Sequence, residues 1–141
     1  MARFVTSQVV DGRQRIRAAI TFHTSGRLIL WPYGYTRAAM PAEMTRDDHA
    51  VFLAMGRAMG ARDGYTAEQA SALYVDSGTA RDWEYGRWWI FAFTFELATG
   101  TYPAGSQIRA ETSRNRSAVL YLIDHAACPY AVIGKAAQYC R

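Results

Sequence analysis

The chain has 141 residues, half of them hydrophobic and 13% aromatic, with a formal net charge of +4. One folded domain with a real core fits that length, and the apolar content excludes a disordered chain. No apolar run reaches the roughly 18 residues of a membrane span. Met1 to Thr6 lack the charged, apolar, then small order of a signal peptide. The arginines are dispersed, with no basic stripe interleaved with aromatics to grip nucleic acid.

In chain order, Ala2 to Val10 has a helical pattern that Asp11-Gly12 stops. Arg15 to Phe22 reads as a strand and Leu28 to Trp31 as a short second one, with Ser25-Gly26 between them. Pro32 to Met44 is loop. Thr45 is a good N-cap for a helix from about Arg46 to Met59, with Asp47 and Asp48 favouring its positive end. Gly60 to Gly64 breaks that helix, and Thr66 is expected to cap a second one through about Leu73. Asp76 to Thr79 is loop. Trp89 to Leu97 is extended and apolar on both faces, as a central strand should be. Ala98 to Ser106 is loop, and Ile108 to Ala127 and Tyr130 to Tyr139 read as helices parted by Pro129. Helices interleaved with strands predict an α/β layered fold.

Three features carry chemistry. His23 ends an apolar strand beside the aromatic stretch Leu30-Trp31-Pro32-Tyr33-Gly34-Tyr35-Thr36; it is either a satisfied half-buried histidine or an imidazole offered to a metal or substrate. Glu96 ends the apolar run Phe91-Ala92-Phe93-Thr94-Phe95. Burying it unpaired is costly, so it sits at the strand mouth or has a cation partner, and a general base or a structural ion pair both fit. Cys128 and Cys140 are too far apart for a C-x-x-C pair; they form a disulfide that pins the tail, or remain two inert thiols.

Taken together, several motifs resemble zinc metallocarboxypeptidases of the carboxypeptidase A and T kind, closest to the secreted actinobacterial type. They are Thr21-Phe22-His23-Thr24, Leu30 to Thr36, Leu73-Tyr74-Val75-Asp76-Ser77-Gly78, Asp82-Trp83, Phe93 to Leu97, Glu111 to Arg116 and Ile133 to Cys140. Tyr74 and Glu96 also keep the family's 22-residue spacing. The resemblance implies a three-layer α/β/α fold with a mixed, mostly parallel sheet, one partial domain over residues 1–141, and secretion. It implies hydrolysis of peptide or protein C-termini by zinc-activated water, with no nucleic acid or membrane partner. Within it, His23 would be a zinc ligand and Glu96 the general base. Tyr74 would be a mobile phenol on the substrate's terminal carboxylate. Arg81 would form the floor of the specificity pocket, favouring Asp or Glu unless Asp76 neutralises it.

The departures are as informative. The family's first two zinc ligands form a His-x-x-Glu pair, whereas His49 and His125 precede Ala50-Val51-Phe52 and Ala126-Ala127-Cys128. Both of these histidines are expected to be solvated. The arginine that polarises the scissile carbonyl and the Asn-Arg pair for the substrate carboxylate are also absent, and Ser25 stands where the family has a tyrosine. The chain reads as the C-terminal half of the catalytic domain, with one of three zinc ligands and little or no activity alone. Open strand edges at Ile16–Phe22 and Trp89–Leu97 should invite self-association or a complementing upstream half. A remnant that binds peptides or partners without catalysis is the alternative.

Overall fold

The computed structural model describes residues 1–140. Its elements are α1 (Ala2–Ser7), β1 (Val9–Val10), β2 (Arg13–Gln14), β3 (Ala18–Thr24), β4 (Leu28–Trp31), α2 (Arg46–Asp63), β5 (Thr66–Gln69), α3 (Ala70–Leu73), α4 (Ala80–Trp88), β6 (Phe91–Leu97), α5 (Ile108–His125) and α6 (Ala136–Tyr139). Short 3-10 turns lie at Gly105–Gln107 and Pro129–Ile133. The main sheet has the order β3-β6-β4-β5. Strands β3 and β6 are parallel, as are β4 and β5, while β4 and β6 are antiparallel.

Alternation along β6 divides the core. Phe91, Phe93 and Phe95 face α2 and α5, where they pack with Ile29, Phe52, Met55 and Leu122. Ile90 and Ala92 face the other way, against Val5 of α1 and Trp83 and Trp88 of α4. The fold is therefore the expected three-layer α/β/α sandwich around a mixed, mostly parallel sheet. Each large side chain withdrawn from water here contributes about 1.5–3 kcal/mol.

Several expectations are corrected by tertiary pairing. The first helix stops at Ser7, and Val9–Val10 folds back on Arg13–Gln14. Asp11 and Gly12 both take positive φ (51° and 73°), the two-residue turn that suits a hairpin. Thr66 caps no helix; residues 66–69 pair parallel to β4, and the helix starts only at Ala70. Gly60 does not end α2, which continues to Asp63 with Gly64 as its left-handed cap. Gly60 instead permits close packing, since a Cβ there would lie 2.6 Å from the Tyr65 carbonyl oxygen. The loop after Asp76 gives way to α4, whose cap Thr79 accepts from the Asp82 N–H (3.3 Å). Thr45 caps α2 as expected, accepting from the Asp48 N–H (3.1 Å). Strand β6 has no open edge, being paired on both sides; the edges of this sheet are β3 and β5.

Polar ties fix the helices to one another. Buried Asp48 of α2 accepts from the Tyr85 hydroxyl of α4 (2.8 Å) and from the Tyr130 hydroxyl of the C-terminal segment. Asp47 receives Lys135 Nζ and the Tyr139 hydroxyl, each at 2.7 Å. Cys128 and Cys140 are joined as a disulfide across a Cα separation of 5.7 Å.

The end of α2 holds a titratable weak point. Asp63 is buried, its Oδ1 accepts from the Tyr65 N–H (3.0 Å), and its Oδ2 has no hydrogen-bond partner. Burial raises its pKa from 3.8 to about 6, against smaller pulls from backbone N–H groups and Arg114. A raised carboxyl pKa favours folding below the unfolded value, and that contribution is lost as pH rises through the folded value. Between pH 4 and 7 the wild-type chain should therefore lose stability relative to Asp63→Asn, by at most about 3 kcal/mol. Urea unfolding of both chains across that range checks this; a stability gap independent of pH would refute it.

Candidate functional site

The β3–β6 register brings the two chemically loaded strand ends together. His23 is the Cα partner of Glu96, one step after Phe22 meets Phe95. Facing residues of a paired register project to one side of the sheet. Here that is the side of Ala92 and Thr94, with Thr21 and Thr94 hydroxyls 3.1 Å apart just below. Helices α1 and α4 cover the start of this face, and its far end is open: His23 is exposed and Glu96 retains 9% of its surface. Among the described residues neither makes an ion pair or a side-chain hydrogen bond. Glu96 thus occupies the strand mouth and has no cation partner.

A tight connection frames this mouth. Residues 25–27 carry the chain from β3 over the end of β6 to β4, with the Gly26 N–H donating to the Ala98 carbonyl (2.9 Å). Leu28 then lies opposite Glu96 on β6's other side. The Thr24–Ser25 and Pro32–Tyr33 peptide bonds are cis.

Tyr74 follows α3 in extended conformation and is 59% exposed, so its ring stands free in solvent. Arg81 is in the opposite situation. It is buried in the first turn of α4, with Nη2 2.9 Å from Asp76 Oδ1 and Nε 3.6 Å from Asp82 Oδ1. Asp82 also accepts the Gly34 N–H with both oxygens, at 2.9 and 3.1 Å. Burial pushes the Asp82 carboxyl up, against the opposing pull of Gly34 and Arg81. The Asp76 neutralisation of Arg81 is therefore present in the fold. Asp82 is the member of this cluster to which the sequence reading gave no role; its position three residues after the Thr79 cap is the signal that places it at a helix start.

The other histidines lie elsewhere and are half-buried, not solvated as expected. His49 sits in α2, where burial lowers its pKa. His125 closes α5, its Nδ1 2.8 Å from the Tyr121 carbonyl and its ring 4.2 Å from that of Tyr121. Among the described residues no group of three His, Cys, Asp or Glu side chains is placed to hold a metal. A catalytic zinc takes three protein ligands and an open position, so this donor set does not fit one.

Residues 1–118 match the family model described as zinc carboxypeptidase. The chain belongs to the zinc carboxypeptidase family. It is 36% identical over 137 residues to a zinc carboxypeptidase of Saccharothrix mutabilis subsp. capreolus, covering 94% of this chain and 32% of that protein. Against human carboxypeptidase A1 it is 32% identical over 123 residues, with coverages of 82% and 29%. Among solved structures, bovine thrombin-activatable fibrinolysis inhibitor, in complex with tick carboxypeptidase inhibitor, superposes with a TM-score of 0.71 at 27% identity. That superposition covers 89% of this chain and 43% of the other. The carboxypeptidase A of Helicoverpa armigera (TM-score 0.67, 17% identity, coverages of 89% and 33%) shares the fold. The chain spans about a third of the length of these curated zinc carboxypeptidase and carboxypeptidase A1 relatives.

Gly34 is where the arginine cluster is most constrained. A methyl group there would collide with Asp76 Oδ1 and lie 2.5 Å from Arg81 Nη2. Gly34→Ala should therefore pry the ion pair apart and destabilise the chain by roughly 1–3 kcal/mol. Gly100→Ala, with nothing within 4 Å of its new methyl, should stay within about 0.5 kcal/mol of wild type. Equal denaturation midpoints for the two variants would show that the cluster does not depend on this close approach.

Proposed function

We propose that the chain carries part of a carboxypeptidase site acting on the C-terminal residues of peptides, and that these residues alone hydrolyse none. The observation that supports it is the pairing of His23 with Glu96 at the open end of β3 and β6. In this reading Glu96 is the general base, taking a proton from the attacking water and returning it to the leaving amine. His23 contributes one imidazole to a metal site that the described residues do not complete, which is why the isolated chain is inactive. Tyr74, free in solvent, hydrogen-bonds the substrate's terminal carboxylate. Arg81 shapes the pocket floor, and the Asp76 and Asp82 carboxylates beside it reduce the pull it can exert on an acidic C-terminal side chain. Secretion accords with the Cys128–Cys140 disulfide, which persists in oxidising compartments.

A second reading, a half that completes its site with a further polypeptide segment, is favoured by a specific observation. The free edge of β3 borders an apolar groove of about 690 Å³ lined by Phe22, Leu97, Ile108, Val119 and Leu120. Phe22 and Ile108 are 52% and 63% exposed there. Contiguous exposed apolar surface of this kind marks a place where another element packs.

The purified chain, supplied with zinc and peptides ending in Glu, Leu or Lys, should release no C-terminal residue, and calorimetric titration should detect no tight zinc binding. Robust zinc-dependent release would overturn the inactivity. Zinc binding that appears only on adding the part of the Saccharothrix relative outside the matched region would support the complementing half. Absence of binding in both conditions would leave a non-catalytic remnant. If a complemented chain preferred Lys termini, the Arg81 assignment would fail.

A further inference from the structure

A second cavity lies at the other end of the β3–β6 pair, about 20 Å from His23 by strand rise. Its volume is about 530 Å³, within the range of small-ligand sites. Three segments converge on it: the β1–β2 hairpin with the residues leading into β3, the last turn of α4, and the C-terminal segment. They bring Arg13, Arg17 and Arg87 into one wall, and no Asp or Glu lines the cavity.

These arginines are not used by the fold. Among the described residues the ion pairs involve Arg27, Arg81, Arg114 and Lys135, and none of the three. Arg87 has only an aromatic contact, its guanidinium 4.6 Å from the Trp88 ring centroid. All three are exposed, so their guanidinium groups are free to turn towards an anion in the cavity.

Aromatic rings complete the wall. Trp89 follows α4 in the left-handed conformation (φ 57°) and is 57% exposed, touching Tyr85 edge-on at 5.8 Å. The Trp88 indole N–H is buried with no hydrogen-bond partner. Tyr130 and Tyr139 stack at 3.8 Å and 10°, and their hydroxyls are taken by Asp48 and Asp47, so they present ring surface to the cavity. Trp89 thus holds a large aromatic surface at the cavity from a position whose backbone conformation favours glycine.

We propose that this cavity binds a small aromatic anion, its planar ring against Trp89 and its carboxylate or phosphate held by Arg13, Arg17 and Arg87. Guanidinium forks donate bidentately to either acid group, so the shared chemistry is a ring bearing a compact negative charge. The site is independent of His23 and Glu96, and it stands or falls apart from the carboxypeptidase reading.

Isothermal titration of the purified chain tests this with adenosine 5′-monophosphate and indole-3-acetate as ring-bearing anions. Adenosine serves as an uncharged ring, and inorganic phosphate and acetate as anions without one. At least one ring-bearing anion should bind, with the controls at least about tenfold weaker and with affinity falling as salt is raised. Binding of the monophosphate alone identifies a phosphate site, and of indole-3-acetate alone a carboxylate site. The double variant Arg13→Ala/Arg17→Ala, at two exposed positions, should weaken binding about tenfold or more. Trp89→Gly suits the positive φ, so the fold is kept while the advantage of ring-bearing ligands disappears. Equal affinity for phosphate and the monophosphate would reduce the site to an adventitious anion patch. No binding of either ring-bearing anion, or a double variant that binds as wild type does, would overturn the proposal.

Discussion

Parallel pairing of β3 with β6 is the constraint on which the rest of the molecule depends. Seven consecutive residues pair, from Ala18 with Phe91 to Thr24 with Leu97. Because side chains alternate, a slip of one residue would exchange the two faces of the sheet. Phe91, Phe93 and Phe95 would then leave the core under α2 and α5, and Glu96 would turn towards it, where an uncompensated carboxylate is far too costly to keep. The same phenylalanines that form the core under α2 and α5 thereby hold Glu96 on the opposite face beside His23. Hydrophobic packing on one side of the sheet sets the polar geometry on the other.

What the sheet positions, the loops hold in place by ionic and phenolic ties. Asp48 is a buried carboxylate with no ion-pair partner among the described residues, and it stays satisfied because two hydroxyls donate to it. Burial and the nearby carboxylate push the pKa values of Tyr85 and Tyr130 upward, which keeps both phenols protonated as donors. Arg81 plays the complementary part: a buried cation shared between Asp76 and Asp82, with Asp82 also gripping the Gly34 N–H. That ties the aromatic stretch after β4 to the start of α4 and to the loop below Tyr74. Breaking one partner of such a buried set costs far more than the set contributes as a whole.

Legibility in the sequence tracked how local the determining physics is. Leu28 to Trp31, the Thr45 cap and the apolar run ending at Glu96 were readable because strand burial and helix capping leave their marks on adjacent residues. Residues 66–69 carry a cap pattern but form a strand, since the decisive partner, β4, lies far away in sequence. Helix α4 was missed because Asp76 to Thr79 reads as loop and its own apolar periodicity is weak. His23 and Glu96 stood out as polar residues ending apolar strands, and motif resemblance gave them roles and added Tyr74 and Arg81. Periodicity by itself says nothing of which strand end meets which, and it was the register that put His23 and Glu96 side by side while leaving Tyr74 exposed and Arg81 buried.

The two edges of the sheet are not equivalent, and the difference bears on how the chain behaves. Strand β5 is short and lies under α2, which packs closely through Gly60. Strand β3 is seven residues long, and its last three residues, Phe22, His23 and Thr24, are exposed. It carries none of the usual protections of an edge, neither lysine nor proline nor a bulge. Phe22 packs on Phe95 edge-on at 5.6 Å and is otherwise open towards the groove beside α5. Unsatisfied strand edge and unsatisfied apolar face therefore coincide along one line of the molecule, next to His23. An element pairing with β3 would cover both at once and bring new side chains to the His23–Glu96 mouth. The demand for packing and the open His23–Glu96 mouth are located at the same strand.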